Sequence, residues 1–545
     1  MESWQTHEVD NQPAPLQDYN LFTSDKVLQE AVQREGAGWA ADELQRVGAE
    51  LGTARAFDLG RLANQFTPQL RGFDARGNRV DQIEFHPAWH EILTGVMRRG
   101  LHSAPWADPK PGAHVARAAA YLMQGQTEAG SLCPTTMTYG AIPALQKGEQ
   151  RIRDWLPTLY SREHDARDLP FAQKKGGMIG MGMTEKQGGS DVRSNTTLAR
   201  PIGNNEYLVT GHKWFFSAPM CDAHLVLAQT PNGLSCIFMP RWRPDGSKNP
   251  LQIQRLKDKL GNRSNSSSEI EFRDAWGILL GEEGRGVPTI IEMATYTRLD
   301  CCLGTSGGMR QALSQALHHA SHRSAFGARL IEQPLMRNVL ADLALETEAA
   351  TVLSLRMARA FDRLDDEAEN AYRRLVTPAA KYWICKRGPE LAAEAMEVQG
   401  GNGYVDEGML ARIYREMPVN SIWEGSGNIM CLDVLRAFSK TPDALAVLMA
   451  ELTPALGRHA VYDKFLGQLQ RDFGDSSNLE TRARRLTQNL ALALQASLML
   501  RYSPDFVADA FCRSRLQQDW GYSFGTLPAN LDFGAILTRA AVHGG

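Results

Sequence analysis

The sequence predicts an α+β protein with a helical N-terminal domain, a central antiparallel β domain, a helical bundle and an extra C-terminal helical domain. Three observations lead there. The hydrophobic period is helical, becomes two, and then turns helical again. The period-two runs are short and separated by Gly, Asn, Pro and Asp, as in a compact sheet or barrel. Finally, 545 residues exceed what one core organises, so three or four packing units of ~100 to 200 residues are expected.

Residues 1–177 form the first expected domain. From Thr23 to about Lys174 the pattern is largely helical, clearest from Val115 to Gln124, with a Pro/Gly-rich break from Pro105 to Gly112. Residues 178–286 carry the period-two runs Tyr207 to Thr210, Ala223 to Ala228, Leu234 to Met239, Leu251 to Leu256 and Ser268 to Phe272. In residues 287–440, Leu340, Leu343, Ala350, Leu353, Met357, Phe361 and Leu364 recur at spacings of three, four or seven, which predicts a long bundle helix. A second helix around Pro378 to Val398 stops at the turn Gly400, Gly401, Asn402, Gly403. Residues 441–545 follow a boundary near Lys440 and Pro442 and read as a further helical domain.

Composition narrows the function classes. No stretch reaches the ~18 apolar residues of a membrane span. Met1 to Phe22 is polar and acidic, without the basic and apolar regions of an export signal, so a cytoplasmic protein is expected. Eight cysteines, adjacent only at Cys301 and Cys302, offer no metal-ligand spacing and read as reduced core thiols. A formal charge of -3 gives no global attraction to nucleic acid.

Four segments carry chemistry. Met181, Gly182, Met183, Thr184 and Glu185, followed through Lys186 and Gln187 by Gly188, Gly189, Ser190 and Asp191, combine hydroxyls with flexible backbone. Such a loop suits a planar, oxygen-rich heterocycle or a phosphate, or is simply a polar turn. Gly211 to Ser217 supplies Trp214, Phe215 and Phe216 before a hydroxyl, which reads as a wall for a planar cofactor or as sheet core. Arg323, Phe326, Gly327 and Gln333 form the third, where the guanidinium grips a pyrophosphate or is a solvated helix end. In the fourth, Ser421 to Ile429, Glu424 is followed at once by Gly425, Ser426 and Gly427. A carboxylate at such a bend can project into a cavity, the alternative being a surface glutamate.

In this order the four segments resemble the acyl-CoA dehydrogenase family: its T-E-x-x-x-G-S-D loop, G-x-K-x-W-I-T strand, R-x-x-F-G segment and E-G-T/S turn. The resemblance covers roughly Gly130 to Lys440. It implies FAD as cofactor and a homotetramer. Thr184 and Ser190 would hydrogen-bond FAD, with the backbone of Met181, Gly182 and Met183 near the flavin. Phe215 and Phe216 would wall the ring, and Ser217 would reach its N5. Arg323, Phe326, Gln333, Gly400 and Gly401 would meet the FAD of a neighbouring subunit. Ile422, Trp423, Gly425, Ser426 and Asn428 would complete the cofactor contacts.

Glu424 matches the family's base, which takes the α-proton of an acyl thioester while the β-hydrogen leaves as hydride. Some relatives place the base on an earlier helix, where Thr295 to Leu299 offers Thr297 and no carboxylate. Trp423 stands where tyrosine is common and would narrow an acyl channel. Lys186 replaces a proline, Glu397 a glutamine, and Pro334 follows Gln333 where many relatives place the glutamine.

The finer wording, including Trp4 to His7, Phe85-His86-Pro87-Ala88-Trp89-His90 and Met417 to Arg436, resembles the family's alkylation-response branch. That likeness implies double-stranded DNA as a partner, an acyl-CoA or small alkylating molecule as ligand, and weak isovaleryl-CoA dehydrogenase activity. The alternative is a working short- or branched-chain acyl-CoA dehydrogenase with an electron-transfer acceptor. Thr441 to Gly545 holds ten Lys/Arg and ten Asp/Glu, so it is not a basic domain. Candidate phosphate contacts are Arg436, the group Arg482, Arg484 and Arg485, and Arg513 with Arg515 ahead of Trp520, Tyr522 and Phe524.

Overall fold

In the computed structural model, residues 6–441, 443–517, 519 and 521–542 are described. Trp4, Gln5, Pro442 and Trp520 lie outside them. The chain forms two compact units, one of Arg55–Gly304 with Ile422–Ile429, the other of residues up to Ala54, Thr305–Ser421 and those from Met430 onward.

The first unit holds the period-two region. Its strands are β1 (Gln69–Phe73), β2 (Arg79–Glu84), β3 (Ile179–Gly182), β4 (Leu198–Gly203), β5 (Glu206–Phe216), β6 (Ala223–Thr230), β7 (Gly233–Pro240), β8 (Leu251–Leu256) and β9 (Ser268–Leu280). The ring β6-β4-β5-β9-β7 closes by a β6–β7 pairing, with β3 on β6 and β8 on β9. Closure removes free edges from the ring. Val209, Phe216, Val226, Ile237, Ile253, Ile270 and Phe272 fill its core.

Two features depart from the sequence reading. The sheet is chiefly antiparallel, but β3 runs parallel to β6, and β4 meets β6 in parallel at Leu198 and Gln229. The β1–β2 hairpin interrupts the helical N-terminal region. β1 alternates exposed and half-buried positions, but its sequence QLRGF carries few apolar residues, and β2 is mostly half-buried with the charged Asp81 as its buried residue, so hydrophobic periodicity gave little signal.

Three helices complete this unit's site. They are α1 (Ala113–Thr127), α2 (Leu132–Gln146) and α3 (Gly286–His322), the last contributing residues up to Gly304. A Cβ on Gly140 of α2 would lie 2.9 Å from the Met293 carbonyl oxygen of α3, so only glycine permits this approach. Buried Arg117 of α1 and Asp300 of α3 pair at 2.6 and 2.7 Å, and Thr136 of α2 donates to the same carboxylate at 2.6 Å. One carboxylate thus fixes three helices.

The second unit is helical, built on α4 (Pro334–Asp362), α5 (Glu367–Val398), α6 (Leu410–Ile422), α7 (Gly427–Lys440) and α8 (Leu479–Tyr502). The expected long helix is α4. α5 starts well before Pro378: Asp366 accepts from the amides of Ala368 and Glu369, and Glu367 and Glu369 complement the helix's positive end. Gly400 follows with φ 61.

All eight cysteines are buried and unpaired in disulfides. Among the described residues, no helix is long and apolar enough to cross a membrane.

Candidate active site

The centre is the turn between α6 and α7. Glu424 has φ 58 and Gly425 φ 111, so the chain reverses through the left-handed region at a non-glycine residue, at a cost of ~1–2 kcal/mol. The half-buried carboxylate is thereby held off any helix face. Two neighbours on α3 fix it: Thr297 Oγ1 donates to Glu424 Oε2 at 2.6 Å, and Arg298 Nε donates to the Glu424 backbone oxygen at 2.9 Å. Thr297 lies one turn from Asp300, so the Arg117–Asp300–Thr136 lock sets its height. The Tyr296 ring packs edge-on to Trp106 and Tyr139, both at 5.4 Å.

The second part of the site belongs to the barrel. Along β5, Phe215 points out and is 52% exposed, whereas Phe216 points in and is fully buried against His224 and Phe272. The expectation that Phe216 contacts a cofactor is therefore corrected, because strand alternation turns its ring into the core. Trp214 N–H donates to the Thr184 oxygen at 2.9 Å, which sets the loop after β3 against the end of β5. Beneath it Lys213 Nζ and Glu185 Oε1 pair at 2.7 Å with no exposed side-chain surface. Glu185 also accepts from Thr196 N–H at 2.7 Å and from Thr197 N–H at 3.2 Å. This buried network pins the segment carrying Met181, Gly182, Met183, half-buried Thr184 and exposed Ser190.

Cys133 of α2 connects the two parts. Burial pushes its thiol up to about 12, opposed by neighbouring Ser217, Asn265 and Lys259, while the charge of Glu424 raises it further. Thr184, Phe215, Ser217 and Glu424 all belong to the same compact unit. A cavity of about 410 Å³ opens on the loop after β8, lined in part by Lys257, Lys259, Arg263 and Asn265. Lys257 Nζ stands 3.4 Å from the Trp214 ring centre and 4.7 Å from that of Phe215.

In the same turn, Ile422 and Asn428 are exposed, while Trp423, Gly425 and Ser426 are half-buried. The remaining expected cofactor residues lie in the other unit. Arg323 donates to the Asn11 oxygen, Gln333 to the Ala325 oxygen at 3.1 Å, and Phe326, at φ 53, is fully exposed. A Cβ on Gly400 or Gly401 would meet nothing within 4 Å.

The six arginines proposed for phosphate contact separate clearly. Arg436, Arg484 and Arg485 are exposed. Arg482 caps its own surroundings through Asp475 at 2.9 Å and the Asp472 oxygen at 2.8 Å. Arg513 is engaged by Asp509 and Asn530. Arg515 is a correction: its guanidinium is buried between Asp342 at 2.5 Å and Glu346 at 3.0 Å, so it cannot reach a phosphate.

Sequence reading named Thr297 without its role as a donor, and missed the donor Arg298, the thiol Cys133 and the buried pairs Arg117–Asp300 and Lys213–Glu185. A partial signal existed for one: Glu185 and Lys213 are opposite charges inside two short motifs already assigned to the same surface.

Comparison with known proteins agrees with this architecture. The family model "Adaptive response protein AidB N-terminal domain" matches residues 11–166, the acyl-CoA dehydrogenase middle domain residues 180–275, and the acyl-CoA dehydrogenase C-terminal domain residues 284–438. AidB of Escherichia coli K12 is 51% identical over 520 residues, spanning 95% of this chain and 96% of the relative. Acyl-CoA dehydrogenase family member 11 of Caenorhabditis elegans is 30% identical over 82% of this chain and 75% of its own length. The crystal structure of C. elegans ACDH-11 in complex with C11-CoA superposes with a TM-score of 0.87 at 26% identity, covering 94% of both chains. From three domain models in sequence and a relative half identical along nearly its whole length, this chain belongs to the acyl-CoA dehydrogenase family, whose cofactor is FAD.

Proposed function

We propose that the protein is an FAD-dependent flavoprotein with weak acyl-CoA dehydrogenase activity, acting on a short branched thioester such as isovaleryl-CoA, and that it binds duplex DNA in the adaptive response to alkylation. The observation that carries the enzymatic part is Glu424, held by Thr297 in a left-handed turn.

The residues present fit FAD. Phe215 is a large apolar ring left 52% exposed on β5, two residues before Ser217 and next to Trp214, whose N–H donates to the Thr184 oxygen, and a planar aromatic cofactor would cover it. Thr184, Ser190, Phe215 and Ser217 would hold the flavin, which when bound accepts a hydride. The exposed Phe326, with Arg323, Gln333 and Gly400, suits contact with a second subunit in a homotetramer. On this chain's side of the reaction, Glu424 takes the α-proton, and the electron pair of that C–H bond forms the new double bond as the β-hydrogen departs. Trp423 beside the base limits the acyl group to a small one, which accounts for slow turnover.

DNA association is assigned to Arg436 on α7 and to Arg484 and Arg485 on α8. α5, α7 and α8 meet around Cys431, whose thiol lies near Thr487, Arg484 and Lys386, so positive charge gathers where these helices join. Phosphate contacts from such a patch weaken steeply with salt. The name of the matching N-terminal family model, an adaptive response protein, supports the cellular role.

The test uses the purified full chain. It is expected to be yellow, to reduce a dye slowly with isovaleryl-CoA, and to shift duplex DNA in a salt-sensitive manner. Glu424→Gln abolishes the dye reduction and leaves FAD bound. Colourless protein that takes up no flavin refutes the enzymatic reading. Fast turnover with no DNA shift at low salt favours instead a working dehydrogenase passing electrons to a separate acceptor.

A further inference from the structure

Thr297 has one hydroxyl hydrogen and two acceptors in reach, Glu424 Oε2 at 2.6 Å and the Ala294 oxygen at 3.0 Å. A threonine hydroxyl donates once, accepts through two lone pairs, and turns freely about its C–O bond. Its position is rigid. The residue is 2% exposed, its methyl would sit 3.5 Å from a Cβ on Gly140, and the buried Arg117–Asp300 pair lies one turn away.

From this geometry we infer that Thr297 is the positioning residue of the base, satisfying Glu424 in both of its protonation states by turning one hydroxyl. The inference rests on Glu424 being the base. While Glu424 is a carboxylate, the Thr297 hydrogen points to Oε2, a charge-assisted bond that holds the anion in place. Once a proton has moved from carbon to Oε2, Glu424 becomes the donor, Thr297 Oγ1 accepts, and the threonine hydrogen turns to Ala294. The substrate C–H bond breaks and a Glu424 O–H bond forms, while Thr297 keeps its own proton. Neither state leaves a buried polar atom orphaned, and unmade bonds of that kind are the expensive ones.

Other groups face the turn. From α3, Arg298 donates to the backbone oxygen of Glu424. From α2, the Cys133 thiol feels the Glu424 charge, and Lys259 after β8 acts on that thiol.

The experiment compares wild type with Thr297→Val, Thr297→Ala and Thr297→Ser. Valine keeps the shape and removes the hydroxyl. It is expected to lower turnover at neutral pH on the order of tenfold, and to move the acid limb of the pH profile to higher pH, since the carboxylate loses this donor. Serine restores both. A second readout is independent of turnover. The protonated-carboxyl infrared band of Glu424, identified by its loss in Glu424→Gln, should titrate at higher pH in the valine and alanine variants than in wild type or serine.

Coincident infrared titrations and pH profiles in valine and wild type overturn the inference, as does failure of serine to restore them. If wild type shows no turnover at all, the functional reading fails, while the infrared comparison still decides the role of Thr297.

Discussion

Replacing Lys213 with methionine tests the buried pair beneath the candidate flavin surface. Lys213 and Glu185 have no exposed side-chain surface. Against burial, which raises it, Lys213 and Thr197 hold the Glu185 carboxyl at about 2, from an ordinary 4.5. That difference corresponds to roughly 3 kcal/mol. Burial in turn pulls the Lys213 ammonium down to about 8, despite the carboxylate beside it. The two effects oppose each other, so the pair as a whole adds little, whereas breaking it strands a buried charge at about 3–5 kcal/mol.

Lys213→Met is therefore expected to lower the melting temperature by roughly 6–20 °C, taking about 2–4 °C per kcal/mol. Glu185→Gln with Lys213→Met should recover most of the loss, because glutamine still accepts from the Thr196 and Thr197 amides. The sign with pH follows. A depressed carboxyl stabilises fully above about pH 4.5, and that contribution fades as pH falls towards about 2. The gap between wild type and Lys213→Met accordingly narrows below pH 4.5. Calorimetric melts of the three proteins across pH decide the matter. A double variant as unstable as the single one, or a gap that widens in acid, refutes the reasoning.

Further outcomes follow from the same geometry. Phe216→Ala should destabilise by about 3–5 kcal/mol through a core cavity, whereas Phe215→Ala should change the melting temperature little and weaken FAD retention; equal effects in melts and flavin titrations would contradict the strand's facing. Asp300→Asn should cost about 3–5 kcal/mol by stranding Arg117, and should slow turnover as Thr297 loses its support, as melts and dye assays would show. Changing Arg436, Arg484 and Arg485 together to glutamate should abolish the DNA shift and leave flavin absorbance intact. An unchanged shift would remove those residues from the proposed interface.

The architecture was legible because three periodicities follow one another, and because Glu424 is followed by glycine where a helix must stop. The strands β5 to β9 appeared in the sequence as apolar runs. β3 and β4 did not, since Ile179–Gly182 is four residues long and Leu198–Gly203 is mostly exposed. Facing was the harder question. The aromatic pair Phe215 and Phe216 reads as one wall until strand alternation separates it, and Arg515 reads as surface charge until Asp342 and Glu346 close around it. Long-range partners of that kind, 169 to 173 residues apart, leave no local pattern to find.

The backbone at Glu424 bears on how this fold changes over time. Glycine accepts φ 58 without steric penalty, so Glu424→Gly would relieve the turn and give a chain at least as durable as the parent and, on the role proposed for Glu424, inert. Selection for persistence alone would erase this carboxylate, whereas the role proposed for Glu424 as a base would keep it in its costly conformation.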